Sequence, residues 1–185
     1  EGHTAHSSKE EAQAEAKEML DLYAKFMEKE LAIPIFRGEK SEAERFPGAV
    51  TTYTFEAMMQ DGKALQGGTS HFMGTNFARA IGIEYTNGAG AKTFAETTSW
   101  GVSTRLIGAM IMVHSDDDGL ILPPRVAPYQ IVFNPFSLDE AVLTYIEEWK
   151  SRLKGFRIHV DKSGMCGSKL KWIKKGVPIR VDIGM

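Results

Sequence analysis

The chain is 185 residues long, with a formal net charge of −2, 43% apolar residues and 25% charged ones. That balance excludes a disordered or fibrous chain, and no apolar run approaches the roughly 20 residues a membrane helix needs. The single cysteine, Cys166, excludes an internal disulfide or a multi-thiolate zinc site and is consistent with a reducing, cytosolic setting.

Ser8 and Glu11 form a capping box, and Ala12, Ala16, Leu20, Tyr23, Met27 and Leu31 recur at helical spacing. The pattern predicts a helix over 9–32, ended by Pro34. Residues 33–36 read as a short strand, 38–44 as a charged loop and Phe46-Pro47-Gly48 as a turn. Val50 to Met59 alternates and is rich in Thr, Tyr and Phe, which predicts a strand; Asp61-Gly62 marks a hairpin, and 63–68 returns antiparallel. A short helix over 76–81, a glycine-rich turn over 87–90 and a strand over 94–98 follow. Pro123, Pro124 and Pro128 punctuate an extended connector, the expected domain boundary. Beyond it a strand (130–134), helix (138–153), strand (156–160), helix (169–175) and strand (177–183) alternate, the signature of a small α/β domain with a partly parallel sheet. The first half reads instead as a mostly antiparallel sheet backed by helices, so the fold class is α+β.

The functional signal lies in Gly67-Gly68-Thr69-Ser70-His71, a polar, glycine-rich strand end, and in Ser99-Trp100-Gly101-Val102-Ser103-Thr104-Arg105, a strand running into a helix. Leu106, Ile107, Ala109, Met110 and Val113 follow helical spacing, which predicts a buried helix with Arg105 in its first turn. A cation there opposes the helix dipole unless an anion is present. A helix N-terminus with an arginine fork is a receptor for a polyphosphate, and Gly101 lets a ligand approach the backbone. Arg105 is therefore expected to face the Gln66–His71 strand across a shared cavity. The blander reading is a glycine-tolerant core strand with a solvated arginine.

Charge is unevenly distributed. From Lys150 onward ten Lys and Arg residues stand against Asp161 and Asp182 alone, whereas the rest carries twelve basic and twenty-two acidic residues. This is the pattern of a phosphate-backbone binder, with a pair of solvated faces as the alternative. Trp149, Phe156 and Trp172 lie among the basic residues at core-like spacing, so burial is expected of them before base stacking. His3 and His6, three apart, are half a zinc site only if helical, and no third ligand is near. Asp116-Asp117-Asp118 reads as an acidic turn lacking the spacing of a calcium loop.

Four long blocks, EGHTAHSSKEEAQAEAKEMLDLYAKF, EAMMQDGKALQGGTSHFMGTNFARAIGI, TTSWGVSTRLIGAMIMVHSDDDGLILPPRVAPYQIV and KKGVPIRVDIG, closely resemble prolyl-tRNA synthetase of the archaeal and eukaryotic type. The resemblance covers nearly the whole chain. It implies the C-terminal part of a class II synthetase catalytic core over 1–127, then the start of an anticodon-binding domain over 128–185. The implied reaction joins proline to ATP, giving prolyl-adenylate and pyrophosphate, and passes proline to the 3′ end of its tRNA in the cytoplasm.

By the same resemblance, Arg105 matches the catalytic arginine of the third class II motif, which holds the γ-phosphate and packs on adenine. Ser103 falls at an ATP contact, and Gln66 and Thr69 at positions lining the ATP and Mg2+ site. Magnesium keeps several waters and rides on the phosphates, so no residue is assigned as a metal ligand. Glu1, His3, Phe46, Ser70 and His71 match the proline pocket, where a carboxylate answers the imino charge and an aromatic wall suits the ring. From chemistry alone His71 also reads as a hydrogen-bonded strand histidine.

Set against the family, the sequence lacks the first motif that builds the homodimer interface and the second-motif arginine, both expected upstream of Glu1. The stretch 162–169 is shorter and less aromatic than usual. An internal piece of a longer enzyme, inactive in isolation, is the expectation. Two other readings compete: a non-catalytic synthetase-like module binding tRNA or nucleotide, and a threonine- or glycine-specific relative.

Overall fold

The computed structural model describes residues 1–163 and 168–184; Cys166 and the centre of the 162–169 stretch lie outside the described residues. The chain divides into two compact units, 1–109 and 110 onward. Among the described residues no helix is long and apolar enough to cross a membrane.

The first unit is built on a five-stranded antiparallel sheet in the order β1-β7-β4-β3-β2. Strand β1 (Gly2–His6) leads into helix α1 (Lys9–Lys29), whose Ser8 cap accepts the Glu11 N–H as expected. Ala12, Ala16, Leu20, Ala24 and Met27 form its buried stripe. The helix stops short of residue 32 because Ala32 takes a left-handed φ of 53° while the Ile33 N–H returns to the Met27 carbonyl. Ile33 is buried and Pro34 has no N–H to donate, so pairing begins only at β2 (Phe36–Glu39), an exposed edge strand. The predicted strand over 33–36 is thus displaced, and the predicted loop over 38–44 begins as strand.

Strand β3 (Thr51–Met58) and β4 (Ala64–Gly74) form the expected hairpin, with Gly62 at φ 78° and Asp61 Oδ1 accepting the Lys63 N–H. Strand β4 runs to residue 74, not 68, so the glycine pair and His71 lie in mid-strand rather than at a strand end. Helix α2 (Asn76–Ile81) is as predicted, and the 87–90 turn joins a small hairpin of β5 (Glu84–Thr86) and β6 (Lys92–Phe94). Strand β7 (Glu96–Val102) then lies between β1 and β4.

Alternation divides the sheet residues between two faces. Tyr53, Phe72 and the α1 alanines pack as one cluster on the helix side. Tyr23 of α1 lies 6.0 Å from the Phe55 ring and 6.4 Å, edge-on, from Trp100. Phe55 also covers Gly67 and Gly68: a Cβ there would stand 2.2 and 2.8 Å from its ring. Helix α3 (Arg105–His114) follows β7, and only its Leu106 and Ala109 are buried, so the expected buried helix is half exposed, with Ile107 open to solvent.

In the second unit, β8 (Ile131–Pro135), α4 (Glu140–Arg152), β9 (Ile158–Val160), α5 (Ser168–Lys174) and β10 (Ile179–Ile183) alternate as predicted. The three strands are all parallel, in the order β10-β8-β9. Ile131, Phe133, Val142, Ile146 and Ile183 form the core. The connector is fastened to this unit: Arg157 donates to the carbonyls of Pro124, Arg125 and Ala127, and Leu122 N–H to Gly176 O. Asp116 Oδ1 closes the acidic turn by accepting from the Asp118 and Gly119 N–H groups.

Several C-terminal cations are engaged locally: Lys150 with Glu147, Arg152 with Glu148 and Arg180 with Asp182. Trp172 is buried as expected, donating to Asp161 at 2.6 Å, whereas Trp149 and Phe156 are exposed. Burial pushes the Asp161 carboxyl up, but hydrogen bonds from Ser163, Trp172 and Lys171 outweigh it and hold the group well below the usual carboxylate range.

Candidate active site

The sheet face opposite α1 is uncovered at its centre, and the strand registers dictate what it shows. One cross-strand row contains His3, Ser99, His71 and Thr52; the next contains Gly101, Thr69 and Thr54. Gln66 pairs with Glu56 while Phe55 pairs with Gly68, so Gly67 is an extra residue, a β-bulge. Three positions apart on a regular strand, Gln66 and Thr69 would face opposite sides. The bulge brings both to the same cavity.

That cavity encloses about 420 Å³. Glu1, His3, Phe46, His71, Gln66, Thr69, Ser103 and Arg105 all line it. Arg105 is the first residue of α3; its guanidinium donates to the Gln66 carbonyl at 3.3 Å, and its N–H to Ser103 Oγ at 3.2 Å. The guanidinium faces the Gln66–His71 strand, and among the described residues it has no carboxylate partner. Positive charge, a helix N-terminus and hydroxyl donors therefore converge where an anion can reach them.

Ser70 is the exception. Between Thr69 and His71 on β4, it points to the helix side, fully buried, and donates to the Ala16 carbonyl at 2.7 Å. Its assignment to the proline pocket is corrected: alternation makes its side chain part of the α1 seam. His3 and His6 also differ from the half-zinc geometry considered above. They lie on a strand, facing opposite sides, and His6 bonds Thr4 Oγ1 at 2.7 Å. Thr104 precedes α3 in a turn rather than sitting on the strand.

No family model matches the sequence. Curated proteins do: a proline–tRNA ligase 2 of Anaeromyxobacter dehalogenans is 50% identical over all of this chain and 39% of its own length. A proline–tRNA ligase of Roseiflexus is 53% identical, with 40% of its length covered. The prolyl-tRNA synthetase of Cryptosporidium parvum, solved with halofuginone and AMPPNP, superposes with a TM-score of 0.93 at 38% identity, covering 98% of this chain and 39% of that one. The same protein with L-proline and AMP gives 0.89 at 37% identity, over 98% of this chain and 41% of that one. The chain belongs to the prolyl-tRNA synthetase family. It spans about 39% of the length of the curated relatives it matches.

Within this prolyl-tRNA synthetase fold, Ser99 and Thr52 are the residues that motif reading passed over. Ser99 lines the cavity and pairs with His71; Thr52 pairs with His71 from the other side. Strict alternation from His71 across its two neighbouring strands would have found both.

His71 is the best-determined polar group of the site. Thr52 Oγ1 lies 2.9 Å from Nδ1, Thr69 Oγ1 lies 3.0 Å from Nε2, and the Phe46 ring stands 4.9 Å away. Burial, and secondarily the charge of Lys40, pull its pKa below the ordinary histidine value. The unfolded chain takes up this proton near pH 6.5 and the folded one only at lower pH, so stability from His71 is full above about pH 6.5 and is lost as pH falls. Denaturation of His71→Gln between pH 7 and 5 is expected to show a shallower loss of stability than the wild type. An identical slope would mean that folding leaves the proton affinity of this ring unchanged.

Proposed function

We propose that this chain is the nucleotide- and proline-facing part of a proline–tRNA ligase, which activates proline with ATP and transfers it to the 3′ end of tRNA(Pro). The observation that carries the reading is Arg105 at the head of α3, turned onto the Gln66 carbonyl and sharing a cavity with Thr69 and His71. In the first step the proline carboxylate attacks the α-phosphate in line and pyrophosphate leaves. A carboxylate needs no general base, so the protein's contribution is positioning and charge stabilisation. Arg105 takes the γ-phosphate, with Ser103, Gln66 and Thr69 lining the nucleotide side. Glu1, His3, Phe46 and His71 form the proline side, with the carboxylate answering the imino cation and the Phe46 ring walling the pyrrolidine.

Magnesium fits this cavity as a phosphate-borne ion. Among the described residues no cluster of three or more His, Cys, Asp and Glu is arranged to hold a metal, whereas neutral oxygen donors face the cavity at Gln66, Thr69 and Ser103. When bound, it neutralises phosphate charge. We further place the catalytic domain over 1–127 and the anticodon-binding domain over 128–185, and assign the parent enzyme a homodimeric state and a cytoplasmic location.

Proline-dependent ATP–pyrophosphate exchange by the ligase that carries this chain is the test. Exchange with threonine, glycine or alanine but not proline would overturn the substrate. Absence of exchange with every amino acid, alongside retained tRNA binding, would favour a non-catalytic module.

A further inference from the structure

Thr52 is 1% exposed, and its Oγ1 has two neighbours: it accepts the Phe46 N–H at 3.1 Å and lies 2.9 Å from His71 Nδ1. On the other edge of the imidazole, Nε2 is 3.0 Å from Thr69 Oγ1. A hydroxyl has one proton to give. With Phe46 N–H arriving at its oxygen, the acceptor within reach of the Thr52 proton is His71 Nδ1. A proton on Nδ1 would instead leave that buried hydroxyl proton with no acceptor. The neutral ring therefore carries its proton on Nε2 and gives it to Thr69 Oγ1. The Thr69 proton is then uncommitted, on the wall of the cavity, with no protein acceptor among the described residues.

We propose that Thr52 is a positioning residue, which holds His71 in its Nε2–H form and so makes the Thr69 hydroxyl a donor to an anionic oxygen, carboxylate or phosphate, in the cavity. The identity of that anion rests on the proline and ATP reading above; the state of the ring does not. Each link is a single short contact: Thr52 and His71 are cross-strand partners, and Thr69 is two residues from His71 on the same face of β4. Serine can replace Thr52 in this chain of contacts, and valine, its isostere, cannot.

Long-range proton–nitrogen spectra of the 185-residue chain, labelled at the histidine ring nitrogens, read the tautomer directly, with His71→Gln assigning the signal. The wild type and Thr52→Ser are expected to show the Nε2–H pattern, and Thr52→Val a shift toward the other tautomer. Titrations with L-proline and with AMP separate the two anions: the one that meets Thr69 loses roughly tenfold in affinity, about 1.4 kcal/mol, in Thr52→Val. Thr69→Val loses as much, and the double variant loses no more. A wild-type ring protonated on Nδ1, or an unchanged ring in Thr52→Val, overturns the proposal. Should Thr52→Val not fold, the wild-type and Thr52→Ser spectra decide it alone. An Nε2–H ring with no response to either L-proline or AMP would count against the assigned ligands and leave the ring assignment intact.

Discussion

Arg105→Ala is expected, on the proline–tRNA ligase reading proposed above, to lower ATP–pyrophosphate exchange by about 10²–10³-fold and to raise KM for ATP. The guanidinium holds the Gln66 carbonyl at 3.3 Å and has no carboxylate to neutralise it among the described residues. Its placement at a helix N-terminus is unfavourable by itself; an incoming triphosphate reverses that sign. Arg105→Lys keeps a charge and loses the planar fork, so an intermediate loss is expected. Unchanged ATP kinetics in Arg105→Ala would mean that the γ-phosphate is held elsewhere.

Phe55→Ala is expected to destabilise the chain by about 3–5 kcal/mol, read as a fall in denaturant midpoint. The ring is fully buried, faces Tyr23 of α1 and lies directly over Gly67 and Gly68. The same close approach makes Gly68→Ala costly: its Cβ would stand 2.7 Å from the Gly101 carbonyl and 2.8 Å from the Phe55 ring. Neither neighbour gives way easily, one being backbone of the adjoining strand and the other wedged beneath a helix. Overpacking of this kind costs about 1–3 kcal/mol, and here it also parts β4 from β7, the two strands that carry the site. A Gly68→Ala protein as stable as the wild type would show that the two strands have slack.

Motif words named residues of the cavity, whereas periodicity alone would have parted Gln66 from Thr69. Gln66, Thr69, His71, Ser103 and Arg105 are short-range signals, each fixed by its own strand or helix end, and the structure brings them to one cavity. What local pattern did not reveal depends on pairing. Strand β1 has no β-branched run and exists because Gly2 to His6 lie along β7. Residues 33–36 look extended, but pairing with β3 starts only at Phe36. Ser70 matches a pocket motif by position, yet the alternation of β4 aims it at Ala16. In the second unit the helix and strand alternation was legible, because α4 buries Val142 and Ile146 against Ile131 and Phe133 of β8 and each strand is a short segment rich in Ile and Val.

The bulge at Gly67 has a consequence for how this region tolerates change in length. Inserting one residue between Phe55 and Glu56 of β3 would give Gly67 a partner and restore unbroken two-residue periodicity between Leu65 and Ser70. Everything from Gln66 back to the hairpin tip would then swap sides relative to Thr69 and His71, dropping the glutamine amide into the apolar seam and lifting Leu65 into water. Gln66 and His71 would part company on β4, although neither residue had been altered.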